Sequence, residues 1–180
     1  MTLLILGLAL WWGAHLFKRL APGARAGMGD QGRAMVTALL LVSLVLMVIG
    51  YRSADGAVWW GRSPALVGVN NLLMLVSVYL FAASGMKTAV ARRLRHPMLT
   101  GALLWSVAHL LVNGDAPSLV LFGGIGLWAV VEMVVISRAG PWVPPVGKGP
   151  KMEIFAVLGT VLVFGALAGV HYALGYPAFG

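Results

Sequence analysis

Apolar residues run continuously along most of this chain, and short polar or Gly/Pro-rich joints interrupt them. The stretch from Leu39 to Leu46 is typical, because it lacks the alternation of apolar and polar positions that a membrane β-strand requires. About 20 apolar residues are enough for a helix to cross a bilayer. The sequence predicts six spans, over residues 2–17, 34–51, 64–84, 97–113, 117–137 and 152–174.

The composition excludes a water-soluble globule, since 60% of the 180 residues are hydrophobic and only 10% are charged. No joint is long enough for a separate soluble domain, so residues 1–180 are predicted to form one all-α membrane bundle of six transmembrane helices. The chain has no cysteine, which excludes disulfides, thiolate metal ligands and a cysteine nucleophile.

Basic residues are distributed unevenly between the joints. Eleven of the 13 Lys and Arg fall in the first, third and fifth joints, which the positive-inside rule places in the cytoplasm, with both termini outside. The net charge of +8 is therefore interpreted as membrane topology. A nucleic-acid partner is not expected, because no soluble element carries a basic face with interleaved aromatic residues.

Small residues mark the predicted helix contacts, since close backbone approach drives helix association in lipid. Gly165 and Gly169 have GxxxG spacing in the sixth span. The other candidates, in the fourth and fifth spans, are Gly101, Ala102, Ala108, Gly123, Gly124 and Gly126.

Histidines are the main candidates for function, because polar side chains inside lipid are costly and neutral imidazole suits a metal or haem iron. The four are His15, His96, His109 and His171. His96 and His109 lie 13 positions apart, roughly 20 Å along one helix, so they cannot share one iron. His109 and His171 both lie toward the outer half of the membrane, which makes them a candidate pair. Each histidine also has a structural interpretation, as a hydrogen-bonded bundle residue.

The neighbours of His109 predict a pocket suited to a flat cofactor. Trp105 and Ser106 precede it by four and three residues and share its helix face. Trp11 and Trp12 stand in the same relation to His15. Glu132 and Asp115 are carboxylates that could orient a histidine or pair with Arg62 or Arg52. For Glu132, near the helix end, a structural role in which its carboxylate reaches toward water stays equally open. Asn70 and Asn71 are predicted to form interhelical hydrogen bonds.

Four motifs together resemble the NnrU family over nearly the whole chain. They are RHPMLTG at residues 95–101, LWSVAHLLVNGD at 104–115, WGAH at 12–15 and GPWVP at 140–144. The family is associated with bacterial denitrification. The resemblance therefore implies a multi-pass protein of the bacterial inner membrane that acts in nitrite and nitric oxide metabolism, with other membrane proteins of a respiratory or nitrogen-oxide pathway as partners.

The NnrU family is in turn similar to Z-ISO, the plant zeta-carotene isomerase that carries haem b. That similarity implies haem b in this chain, with His15 and His109 as the iron ligands, and it implies a carotenoid-like isomerisation as the alternative to a role in nitrite and nitric oxide metabolism. Trp105, Ser106, His96 and His171 complete the predicted cofactor-binding residues. In the isomerase a cysteine three residues before the second histidine serves as an alternative ligand. Ser106 occupies that position here, so a cysteine-for-histidine exchange is impossible.

Two other functions stay open at the level of sequence. Arg95-His96-Pro97 also resembles the start of a membrane helix in isoprenylcysteine and phospholipid methyltransferases, where this motif helps to hold S-adenosylmethionine. Those enzymes continue with an Arg and paired Glu, whereas Glu132 is the only acidic residue of the fifth span. The third interpretation is a non-catalytic accessory or assembly subunit, and the sequence leaves open whether the protein is an enzyme.

Overall fold

A computed structural model describes residues 1–179, and these residues are helical apart from one short pair of strands. The elements are α1 (Thr2–Leu20), α2 (Pro22–Gly27), α3 (Gly29–Arg52), β1 (Val58–Trp60), α4 (Pro64–Met86), α5 (Pro97–Val112), β2 (Gly114–Asp115), α6 (Ala116–Arg138) and α7 (Pro150–Ala173).

Proline sets where most helices begin. Five helices carry a proline in their first turn, where the missing N–H has no intrahelical partner to lose and the ring fixes a helical φ. Side chains cap two of these starts, because Ser63 accepts from the Leu66 N–H and Asp115 accepts from the Ser118 N–H. The positions where these helices begin are therefore determined locally, by the prolines and capping residues that interrupt the apolar runs.

The helices pack in an order that differs from their order in the chain. α1 lies between α3 and α6, α6 packs against α5, α5 against α4, and α4 against α7. The centre of the packing is the contact of α1, α3 and α6, formed by Leu4, Leu8, Met47, Ile125, Trp128 and Ala129.

The structure confirms a multi-pass helical membrane architecture. Five helices, α1, α3, α4, α6 and α7, are long and apolar enough to cross a membrane. α5 has 16 residues, about 24 Å at 1.5 Å per residue, which is shorter than a hydrocarbon core of about 30 Å. The boundaries also differ from prediction, since α1 continues to Leu20 and α3 begins at Gly29.

The pair of strands was not predicted. β1 and β2 are antiparallel and connect the loop after α3 to the turn between α5 and α6. The Trp60 indole N–H donates to the Leu110 carbonyl at 2.8 Å, and its ring covers Gly114 so closely that no side chain would fit there. This end of the bundle is therefore fixed by Trp60 as well as by backbone pairing.

The glycine predictions divide into two groups. Gly101 faces Ser77 and Phe81, Gly124 faces Leu8, and Gly126 faces Ser106, so these are helix contacts. The prediction is wrong within this chain for Gly165 and Gly169, and also for Gly123, because a Cβ at any of the three would meet nothing within 4 Å. The GxxxG pair lies on a face of α7 that no other described helix covers.

Candidate functional site

Three of the four histidines hold their rings in the same way. The Nδ1 atoms of His15, His109 and His171 lie 3.0, 2.9 and 2.8 Å from the carbonyl oxygen four residues earlier in the same helix. A carbonyl only accepts, so Nδ1 carries the proton and donates. In the neutral ring this leaves Nε2 with its lone pair, which is the arrangement found in histidines that bind metals.

His109 and His171 face each other in one cavity, which we call the polar cavity. Its volume is about 400 Å³, and it lies among α4, α5, α6 and α7. The two ring centroids are 6.4 Å apart, with the ring planes at 48°. Asn70, Asn71 and Asn113 also line this cavity, so amide groups as well as imidazoles surround the space.

Aromatic rings fix His109 from two sides. Its ring stacks on Phe122, with centroids 4.6 Å apart and planes at 27°, and it lies 4.8 Å from the Trp105 ring. Phe122 is buried, and Trp105 packs on it at 5.0 Å. The His109 ring is therefore held by packing as well as by its hydrogen bond.

His15 lines a different space, which we call the lateral cavity. This cavity has a volume of about 630 Å³ and an almost entirely apolar lining. The His15 ring lies 4.3 Å from the Trp11 ring and 4.5 Å from that of Trp128. Within residues 1–179, the rings of His109 and His171 are in contact, whereas those of His15 and His109 are not.

A shared wall separates the two cavities. Tyr51, Trp105 and Leu121 line both of them. Trp105, predicted as part of a cofactor pocket, therefore lies between His109 on one side and the lateral cavity on the other. The Tyr51 hydroxyl donates to Ser118 Oγ at 2.8 Å, since the Ser118 hydroxyl donates to Asp115 Oδ2 at 2.9 Å, and this chain of hydrogen bonds holds the wall in place.

Ser106 lines neither of the two cavities. It is 1% exposed and packs against Gly126 of α6, where a Cβ on the glycine would lie 3.1 Å from Ser106 Cβ. Its hydroxyl has no hydrogen-bond partner among the described residues. The structure therefore places Ser106 in a helix contact.

His96 lies apart from the other histidines, before the first turn of α5. Its Nε2 hydrogen-bonds Ser137 Oγ at 2.9 Å. Partial burial, and then the positive charge of Arg95, lower the pKa of His96 below its ordinary value of 6.5. Arg95 Nη2 donates to the carbonyls of Ile136, Ser137 and Gly140 at 3.2, 3.4 and 2.6 Å. The Arg-His-Pro motif thus closes the C-terminal end of α6.

Three other polar predictions need correction. Glu132 does not reach water, because it is 6% exposed and one carboxylate oxygen lacks a hydrogen-bond partner among the described residues. Asp115 caps α6 through Ser118. Asn71 donates to the Ala178 carbonyl at 3.0 Å, so it binds the C-terminal segment and not another helix.

That C-terminal segment is the part of the site that sequence reasoning missed. Residues 176–178 fold back along the polar cavity, held by Asn71 and by Arg62 Nη2, which donates to the Pro177 carbonyl at 2.7 Å. The segment has no helical periodicity to signal its position. The only sequence signal for it is the presence of Arg62 and Asn71 near the start of α4, because their side-chain donors require acceptors.

The chain matches a known protein family. The model of the family described as NnrU protein matches residues 3–178, which is nearly the whole chain. No curated protein and no solved structure matches this chain.

Proposed function

Because this chain belongs to the NnrU family, we propose that it is a bacterial inner-membrane protein that binds haem b through intramembrane histidines and acts in nitrite and nitric oxide metabolism. The observation that carries the proposal is the pair formed by His109 and His171. The two rings face one cavity, and each keeps an Nε2 lone pair.

The spacing of the pair suits two ligands of one iron. Two imidazoles on facing helices, each with a free Nε2, would hold an iron between them. The separation of the two ring centroids is 6.4 Å. The volume of about 400 Å³ falls within the range of roughly 300–1,000 Å³ for ligand pockets.

The chain's own residues would orient and shield such a group. The Trp105 and Leu167 carbonyls hold the two imidazoles, and Phe122 supports His109 on its face. The side-chain amides of Asn70 and Asn113 border the same space. Their Nδ2 atoms each donate one bond, to Asn71 Oδ1 and to the His109 carbonyl, and the second N–H of each would suit a haem carboxylate. Haem ligated by two histidines supplies one-electron chemistry, which favours electron transfer or redox sensing.

The test is a set of reduced-minus-oxidised visible spectra of the protein purified in mild detergent from haem-replete cells. We expect a haem b spectrum that His109→Ala and His171→Ala each abolish. His96→Ala is the matched control, because it removes the same side chain at a distance from both cavities. A colourless wild-type protein would contradict haem binding and favour an accessory subunit or a methyltransferase.

His15→Ala, measured in the same series, separates the two candidate ligand pairs. If His109 and His171 bind the iron, His15→Ala retains the spectrum. Loss of the spectrum in His15→Ala and His109→Ala, with retention in His171→Ala, would instead support the pair that the resemblance to the isomerase implies. Melting temperatures of all four variants show whether a lost spectrum reflects a lost ligand or a lost fold.

The proposed topology has six spans, with α5 as the short one and both termini on the periplasmic side. The distribution of Lys and Arg supports it. Because the chain has no cysteine, single cysteines can be probed without background. Asp55→Cys should react with an impermeant maleimide in cells whose outer membrane alone is permeabilised. Ala24→Cys should react only after the inner membrane is opened, and the reverse pattern would invert the topology.

A further inference from the structure

The lateral cavity is open toward the lipid. Four of the apolar residues that line it, Leu44, Val48, Phe81 and Met98, are 43–57% exposed. In a membrane protein such exposed apolar side chains face hydrocarbon. An acyl chain in the bilayer therefore has direct access to the cavity.

Helix packing explains why this space exists. α3 packs against α1 and touches α6 along one edge, whereas α4 packs between α5 and α7. Among the described helices, α3 has no extensive contact with α4 or α5, so a gap of about 630 Å³ separates them. An empty apolar gap forfeits the dispersion contacts that filled interiors make, which favours its occupation by a lipid chain.

The gap is elongated along the membrane normal. Gly50 of α3 lies against the backbone of Leu4 in α1. This contact places the end of the cavity near Arg52, two residues after Gly50, at about the same depth as Leu4. His15 lies 11 residues further along α1, or about 17 Å, and lines the same cavity as Arg52. The shape therefore suits an extended chain.

Arg52 provides a charge at one end of this space. It is the last residue of α3, it is exposed, and it borders the cavity. Within residues 1–179 the structure gives its guanidinium no hydrogen bond and no ion pair. The neighbouring Tyr51 hydroxyl is already engaged by Ser118. An arginine at a helix end, level with lipid headgroups, suits a phosphate group.

We propose that the lateral cavity binds one acyl chain of an anionic phospholipid whose phosphate pairs with Arg52. The chain lies between α3 and α5, along Met47 and Ala102, and the headgroup lies at the membrane surface. The negative headgroup complements an arginine whose guanidinium has no partner among residues 1–179. This site is independent of the proposed haem ligands.

The experiment is native mass spectrometry of the purified protein with phosphatidylglycerol or phosphatidylcholine added. We expect one retained phosphatidylglycerol per protein and a preference over phosphatidylcholine of about fivefold from the Arg52 charge. Ala102→Phe should abolish retention by filling the cavity, and Val48→Trp should do the same from a lipid-exposed position that needs no repacking. Arg52→Gln should keep the chain but lose the preference.

Two matched variants control for unrelated effects. Ala38→Phe adds the same bulk on an exposed part of α3 that does not line the cavity, and Arg93→Gln removes a charge from an exposed loop position. Both should behave as the wild type. Unchanged retention in both Ala102→Phe and Val48→Trp would overturn the proposal. So would an unchanged preference in Arg52→Gln, or a retained molecule without phosphate that Ala102→Phe displaces.

Discussion

Gly50 of α3 lies directly against the backbone of Leu4 in α1, and a Cβ at position 50 would come within 2.7 Å of the Leu4 Cα. Three residues further along α1, less than one helical turn away, Gly7 makes the reciprocal approach, since a Cβ there would lie 2.8 Å from the Met47 backbone nitrogen. The two helices therefore touch through glycines on both sides. Neither contact was predicted, because neither glycine belongs to a GxxxG pair.

Alanine at position 50 should weaken the bundle. The Leu4 atoms that this Cβ would meet are backbone atoms, which cannot move aside without separating the helices. We therefore expect Gly50→Ala to lower the free energy of unfolding by about 1–3 kcal/mol. Thermal unfolding followed by tryptophan fluorescence in detergent measures the effect. Gly165→Ala is the control, because a Cβ there meets open space. Equal melting temperatures for the two variants would argue against close packing of α1 and α3.

We expect Arg95 to stabilise the fold and not to bind a methyl donor such as S-adenosylmethionine. Its guanidinium satisfies three carbonyls at the end of α6, so Arg95→Gln should lower the free energy of unfolding by about 1–3 kcal/mol. Arg95→Lys should recover part of this, since all three contacts come from the single nitrogen Nη2 and an ammonium on a shorter side chain also donates to carbonyls from one nitrogen. Binding of S-adenosylmethionine to the wild type that Arg95→Gln abolishes would instead support the methyltransferase interpretation.

His96 should make stability depend on pH on the acidic side of neutrality. Its pKa is lower in the folded protein than the ordinary value of 6.5, so the unfolded chain binds the proton more readily. The stabilising contribution is therefore complete above pH 6.5 and declines as the pH falls below that value toward the folded pKa. We measure melting temperatures at about pH 7.5 and about pH 5.5, on either side of the ordinary histidine pKa of about 6.5. The two values should differ less in His96→Gln than in the wild type. An equal difference in both proteins would assign the pH dependence to other groups.

A thiol at position 106 should not become an iron ligand. Ser106 is 1% exposed and packs on Gly126, so Ser106→Cys should leave the proposed haem spectrum unchanged and should resist maleimide in the folded protein. Ala168→Cys, which places a thiol on the wall of the polar cavity, should react. A thiolate-type spectrum in Ser106→Cys would mean that α5 presents a different face to the site.

The helices could be predicted from the sequence because lipid requires long apolar runs, and prolines interrupt these runs where helices begin. The packing order could not be predicted, since uniform apolar surfaces such as that of α3 give little indication of which face meets a neighbour. Gly165 and Gly169 show this directly. Their spacing is typical of a helix contact, yet no described helix covers them.

The site was predictable in its residue types and only partly in its geometry. Similar depth in the membrane identified His109 and His171 as a pair, because depth follows from residue counts within a span. The depth of a residue in the membrane does not tell which neighbouring helix its side chain faces. His15 faces Trp128 because α1 packs against α6, and no pattern near His15 encodes that long-range contact.

The separation of α3 from α4 has a consequence for synthesis in the cell. The α1–α3 hairpin leaves the ribosome first, but the helix that joins it to the rest of the bundle is α6, whose residues follow roughly 100 positions after α1. At about 5–20 residues per second, the hairpin waits in the membrane for several seconds beside an unfinished chain. Its glycine-mediated contact therefore has to hold without help from the rest of the protein until α6 has been synthesised.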